Sequence, residues 1–379
     1  ALGYSQLFYV EASSGLHVPK MEKGPTGVEM GDMNGDGNVD IVSIGDHGSP
    51  KINSDQHGIM VWFGDGLGNW TLFQNGNFGY GDVTLGDVNN DGFMDIGYGM
   101  HHNYSNTDFG NQLLEVALGD GTGLSWTPWD DGLATNGETY GMFGCDFADV
   151  NNNGFLDIGS ISFGCCAGVH VYLNNTDGTW TRSFGFLGGN STLIFVFGDI
   201  NGDGHADFAC GHGAGQGSVY LGDGRGNFRP NDGNLPPAGN GGRRGISLGD
   251  VTGDGRSEMA YVTSNGGIQV RKGSAESTWI NLSGNLPVSG FYATQICDMD
   301  LDGFGDIVAF AYGSIKVFKG DGGGNWTLVS DIITPAACDF SAFRAGRDFD
   351  HNGYPDIVQV ASENCTWSGG INRPRAFRE

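Results

Sequence analysis

One nine-residue phrase, Asp-x-Asn/Asp-x-Asp/Asn-Gly-x-x-Asp, constrains this chain more than any other feature. It begins at Asp32, Asp87, Asp149, Asp199, Asp250, Asp298 and Asp348, at steps of about fifty residues. Seven copies at near-even spacing mark one supersecondary unit stacked many times over. A chain of 379 residues would ordinarily split into two or more domains. Here no Pro/Ser-rich linker interrupts the spacing, so a single domain over residues 1–379 is expected.

The flanks repeat as well. A short apolar run precedes each phrase, as in Val83-Thr84-Leu85-Gly86, and a β-rich run follows, as in Asp306-Ile307-Val308-Ala309-Phe310. A third run, such as Gly58-Ile59-Met60-Val61-Trp62-Phe63, leads into a Gly-Asp-Gly turn and then a fourth run that opens on Trp70. Four short runs separated by Gly, Asp and Asn turns read as a four-stranded antiparallel meander. One such sheet cannot bury both faces, but seven packed around an axis can. The fold class is therefore all-β, a seven-bladed β-propeller of four-stranded antiparallel blades. The 70 glycines fit turns far better than helices, where each costs about 1 kcal/mol relative to alanine. The 24 Phe, 12 Tyr and 8 Trp supply a core. Residues 6–10 and 16–18 look like third and fourth strands for the blade begun at 356–360, so N-terminal strands are expected to complete the C-terminal blade and close the ring.

The phrase itself is a ligand list. Oxygens at alternate positions, a glycine and a final carboxylate suit a hard cation. Positions 1, 3, 5 and 9 offer side chains and position 7 its carbonyl, so the candidate metal ligands run as follows. The first loop offers Asp32, Asn34, Asp36, Asn38 and Asp40, the second Asp87, Asn89, Asp91, Phe93 and Asp95. The third offers Asp149, Asn151, Asn153, Phe155 and Asp157, the fourth Asp199, Asn201, Asp203, His205 and Asp207. The fifth offers Asp250, Thr252, Asp254, Arg256 and Glu258, the sixth Asp298, Asp300, Asp302, Phe304 and Asp306, and the seventh Asp348, Asp350, Asn352, Tyr354 and Asp356. Nearly half of the 44 acidic residues lie in these loops and the formal charge is −26. Oxygen-only ligation favours Ca²⁺ over zinc or copper, so up to seven structural Ca²⁺ are expected. The third loop, with only Asp149 and Asp157 charged, and the fifth, with Thr252 and Glu258, are the weakest candidates.

The seven loops, together with phrases such as Phe63-Gly64-Asp65-Gly66, resemble the FG-GAP or VCBS-type repeats of integrin α-subunit propellers and many secreted microbial proteins. The resemblance covers nearly the whole chain. It implies a seven-bladed propeller with Ca²⁺ between the first and second strands of each blade. It implies no single activity, because relatives include adhesion receptors, lectins and polysaccharide-degrading enzymes.

Strand parity puts the acidic loops and the Gly-Asp-Gly turns on one face. The opposite face takes the irregular stretches 46–58, 100–111, 130–144 and 229–245, and binding residues concentrate on variable loops borne by a rigid frame. Candidate ligand contacts there are Trp129, Tyr140, Phe291 and Tyr292 for stacking and Arg243 and Arg244 for charge. His47, His101, His102 and His212, with Tyr140, are the candidate catalytic groups should the chain be a polysaccharide lyase.

The acidity excludes nucleic acid as a partner, and no apolar run approaches the roughly 18 residues of a spanning helix, so no membrane insertion is expected. The chain starts without a basic and apolar leader, as a mature secreted chain would. Seven cysteines suit an oxidising compartment, with Cys338–Cys365 the preferred disulfide. The expected function is a secreted or cell-surface, calcium-stabilised module that binds carbohydrate or protein, with a subunit of a larger assembly as a further possibility. The alternative is an extracellular polysaccharide lyase or hydrolase.

Overall fold

The last carboxylate of every acidic phrase is the first residue of a strand, so each loop leads straight into the second strand of a blade. The computed structural model describes residues 6–16, 27–45, 57–76, 78–79, 81–100, 109–134, 142–162, 168–187, 194–211, 218–236, 245–334, 342–362 and 372–379.

They form seven four-stranded antiparallel sheets. Blade 1 is Val28–Gly31, Asp40–Ile44, Ile59–Gly64 and Trp70–Asn75. Blade 2 is Val83–Gly86, Asp95–Gly99, Leu114–Gly119 and Trp126–Pro128. Blade 3 is Met142–Ala148, Asp157–Ser162, Gly168–Asn174 and Trp180–Leu187. Blade 4 is Phe195–Gly198, Asp207–Cys210, Val219–Gly222 and Phe228–Pro230. Blade 5 is Ile246–Gly249, Glu258–Val262, Ile268–Lys272 and Ile280–Asn281. Blade 6 is Phe291–Cys297, Asp306–Ala311, Ser314–Gly320 and Trp326–Ile333. Blade 7 is Ala342–Arg347, Asp356–Ser362, Asn372–Arg378 and Val10–Glu11.

The core is divided in the same way. Seven hydrophobic clusters each join two neighbouring blades, and one of them packs Val28, Ile41 and Trp62 of blade 1 against Ala342, Val358 and Ala376 of blade 7. The ring is thus continuous. Tryptophans at or just before the fourth strand fasten blade to blade through their indole N–H groups. Trp70 donates to the Ala12 carbonyl at 2.9 Å, Trp180 to Trp129 at 2.6 Å, Trp279 to Asn231 at 2.9 Å and Trp326 to Leu282 at 2.9 Å. Each acceptor belongs to the outer edge of the preceding blade.

Blade 7 departs from expectation. Among the described residues only Val10–Glu11 comes from the N-terminus, as the outermost strand, and it pairs with Phe377 and Arg378 rather than beside 356–360, while residues 17 and 18 lie outside the described residues. The third strand is Asn372–Arg378, pairing with 357–362. Its sequence, Asn-Arg-Pro-Arg-Ala-Phe-Arg, lacks clean apolar alternation, yet Ala376 and Phe377 are buried. Leu16, expected in a fourth strand, instead packs between blades 7 and 1.

The first strands line the axis. Pairing with the second strand puts Glu29, Thr84, Asp146, Val196, Ser247, Gln295 and Arg344 at equivalent heights. Arg344 and Glu29 form an ion pair across the blade 7–blade 1 joint. Thr84 donates to Asp146 at 3.2 Å across the blade 2–blade 3 joint. A cavity of about 160 Å³ lies between these residues on the blade 3–7 side.

Candidate metal loops and a cleft between blades

The seven loops share one hydrogen-bond plan. The carboxylate at position 1 accepts from the glycine N–H at position 6, from Gly37 to Asp32 (2.9 Å) through Gly353 to Asp348 (2.8 Å). The side-chain oxygen at position 5 accepts from the N–H at position 7, as Asn38 to Asp36 (2.8 Å) and Phe304 to Asp302 (3.0 Å). Position 6 has φ between 80 and 95° in every loop, the left-handed region that only glycine enters freely. Position 4 is left-handed as well, at Gly35, Asn90, Asn152, Gly202, Gly253, Leu301 and His351. Where position 4 has a polar side chain, it reaches forward to the next blade. His351 meets the Asn38 carboxamide at 3.0 Å, Asn90 donates to the Gly154 carbonyl at 2.9 Å, and Asn152 lies 2.9 Å from the His205 ring.

Position 9 is the structural centre of each loop. Asp40, Asp95, Asp157, Asp207, Glu258, Asp306 and Asp356 are fully buried. In six blades one carboxylate oxygen takes the N–H at position 2 and the other takes the N–H that ends the third strand. For Asp40 the donors are Met33 (2.9 Å) and Gly64 (2.9 Å), and for Asp306 they are Met299 (2.9 Å) and Gly320 (2.9 Å). Burial pushes Asp40, Asp95, Asp157, Asp306 and Asp356 up to about 7 and Asp207 to about 6, against the opposing pull of these N–H groups. A carboxylate buried beside other carboxylates is favoured in its charged form by a nearby cation as well as by such N–H donors. Each oxygen keeps a lone pair beyond its hydrogen bond, so the donor set fits a hard cation. Oxygens of Asp298, Asp300 and Asp306 all lie within 4.8 Å of one another, as do those of Asp348, Asp350 and Asp356.

Loops 5 and 6 hold something more. The Lys272 ammonium lies 2.7 Å from Thr252 Oγ1, 2.5 Å from Asp254 and 3.2 Å from Glu258. The Lys319 ammonium is paired with Asp300 and lies 2.6 Å from Asp302. In loop 7, Arg378 stands 3.5 Å from Asp350.

On the same face, an open cleft of about 420 Å³ separates blades 3 and 4. Half-buried Phe147 and Phe197 line it together with Asp149, Asn152, Asp199 and His205. Beneath it lies an aromatic cluster in which Phe208 stacks on Tyr220 at 4.8 Å and on Phe195 at 5.0 Å. All three rings belong to blade 4, and Phe184 of blade 3 packs edge-on against Tyr220 at 5.8 Å.

The FG-GAP-like repeat profile matches residues 32–98, 161–210, 199–261 and 298–358, more than half of the chain. The chain belongs to the FG-GAP-like repeat family. Solved structures with this propeller's fold include an Agrocybe aegerita lectin described as recognising non-reducing terminal N-acetylglucosamine. It has a TM-score of 0.51 and 20% identity, over 82% of this chain and 81% of that one. The BP39L lectin from Burkholderia pseudomallei has a TM-score of 0.55 and 14% identity, over 93% and 99%. BBS1N, in complex with ARL6DN, has a TM-score of 0.55 and 10% identity, over 95% and 97%. At these identities the likeness is one of fold.

Other residues expected at a ligand site are divided by the FG-GAP-like fold. Phe291 is buried in the cluster between blades 5 and 6, edge-on to Phe318 at 6.0 Å, which corrects its place on an open loop. Tyr292 is half-buried on the core between blades 6 and 7, 5.7 Å from the Phe310 ring. Trp129 is half-buried against the core between blades 2 and 3, and its carbonyl holds Trp180. His47, His101, His102, His212, Tyr140, Arg243 and Arg244 lie outside the described residues, as do Cys165, Cys166, Cys338 and Cys365. Cys145 and Cys210 are buried in inter-blade cores and Cys297 is a half-buried thiol.

Sequence reasoning missed the acid pair of Glu115 and Asp130, both buried, on blade 2. The Gln112 N–H donates to Glu115 at 2.7 Å, and Gln112 Nε2 donates to the Asp130 carbonyl at 2.8 Å. Burial, then the hydrogen bond and charge of Asp130, hold Glu115 far above the usual carboxylate range. The sequence carries one signal of it, a lone Glu amid the apolar Leu113-Leu114-Glu115-Val116 run.

Proposed function

We propose that this FG-GAP-like propeller is a secreted, calcium-stabilised binding module whose ligand is a carbohydrate seated between blades 3 and 4. The cleft there carries the reading. Sugars present apolar C–H faces and a rim of hydroxyls, and a site for them combines aromatic surface with a few convergent polar groups. Phe147 and Phe197 supply the first, Asn152 and His205 the second, and the cleft's size falls within the roughly 300–1,000 Å³ of small-molecule sites. Asp149 and Asp199 are shared between the cleft and loops 3 and 4, so calcium in those loops would fix the cleft's walls. The lectin folds among the similar structures support a carbohydrate ligand.

A glycan array probed with calcium-loaded protein tests this. His205→Ala removes a side chain that is not itself a metal ligand, since position 7 would ligate through its carbonyl. Loss of one hydrogen-bonding partner predicts about tenfold weaker sugar binding with an unchanged melting temperature. Chelation should abolish binding. No retention of any glycan would remove the carbohydrate reading, and shortened chains in the mass spectrum would replace it with a cleaving enzyme.

A further inference from the structure

The residue just before the one whose N–H closes the third strand is equivalent in all seven blades by register. It is Phe63, Leu118, Leu173, Leu221, Lys272, Lys319 and Arg378. In blades 1–4 this residue is apolar, and Phe63, for example, packs into the core between blades 1 and 2. In blades 5 and 6 it is lysine, and its ammonium enters the acidic loop.

We propose that Lys272 and Lys319 are the resident cations of loops 5 and 6, so that these two loops take up no calcium while the others remain open to it. The inference rests on the calcium reading above and divides the ring by it. Lys272 touches the side chains at positions 3, 5 and 9, and Lys319 those at positions 3 and 5. These are the oxygens that an ion in the loop would use. A tethered ammonium there is attracted to the same carboxylates, and a divalent ion in that place would have to displace it.

Loop 5 has adjusted further. It has Thr252 at position 3, and its closing residue Glu258 is one methylene longer than the aspartate elsewhere. Glu258 Oε1 lies 3.2 Å from Lys272, where the matching oxygen in the other blades takes the N–H that ends the third strand. Arg378 touches one loop oxygen, at 3.5 Å, and leaves positions 5 and 9 of loop 7 open.

Calcium content measured after equilibrium dialysis, together with anomalous scattering from calcium-soaked crystals, tests this blade by blade. Wild-type crystals should show no anomalous peak in loop 5 or loop 6. Lys319→Leu installs the residue of blades 2–4 and leaves Asp300 and Asp302 without their ammonium, so it should bind one more calcium per chain than the wild type, with a new peak in loop 6. Its melting temperature should also become more calcium-dependent. Peaks in all seven loops of the wild type, or an unchanged count in Lys319→Leu, would overturn the inference and leave the calcium reading intact. No uptake in any loop would remove both.

Discussion

At the scale of single residues, buried carboxylates do two jobs. At position 9 they tie a loop to two strands, and the nine-residue phrase announces them openly, because glycine and alternating oxygens leave few other readings. The Glu115–Asp130 pair has no such phrase, since its partners meet only after two strands and a turn have folded. Its folded pKa is raised, so its contribution to stability is complete below the ordinary glutamate value of about 4.3. That contribution falls as pH rises and is gone above about 10. Glu115→Gln keeps the shape and a hydrogen bond without the charge. It should flatten the decline in melting temperature between pH 7 and pH 9.5, leaving the variant more stable than wild type at the upper end. An identical decline in both proteins would refute that assignment.

Single elements show where the sequence stopped being legible. The second strand of each blade follows an unmistakable loop, and all seven were readable. Outer strands were harder, because a fourth strand half in solvent needs little apolar content, as Ile280–Asn281 shows. The third strand of blade 7 hid behind three arginines and a proline. What holds these weak edges is the tryptophan hook, a contact that sequence could place in the core but not pair. Trp180→Phe keeps most of the buried area and removes the N–H that Trp129's carbonyl accepts. The expected cost is about 0.5–1.5 kcal/mol, read as an earlier denaturant midpoint. The same substitution should leave the calcium content unchanged, which separates loss of the hook from damage to a loop.

Across the whole molecule, stability depends on every interface, because each blade shields its neighbours' cores. Leu16, 2% exposed, sits at the joint between blade 7 and blade 1. Leu16→Ala should cost about 2–5 kcal/mol. Deleting residues through 16 should lower the melting temperature further and leave Asn372–Arg378 an open edge, so that light scattering reports species larger than the monomer. A monomer with wild-type melting would show that the ring stays closed without its N-terminal strand. The cleft between blades 3 and 4 was not legible in sequence for a related reason. Its walls come from two repeats, Phe147 from one and Phe197 from the next, and they meet only once neighbouring blades have packed.

The clasp of blade 7 also sets a timetable. Ser14 pairs beside Asn69 and Ala12 receives the Trp70 indole, so this segment can dock on blade 1 as soon as Trp70 and its strand have left the ribosome. Its inner partner, Asn372–Arg378, is made some three hundred residues later, on the order of 15–60 s at ordinary synthesis rates. Throughout that interval the nascent protein carries a short docked strand, Val10–Glu11, with one edge waiting. Its two-residue length limits what else can pair there before the proper partner arrives.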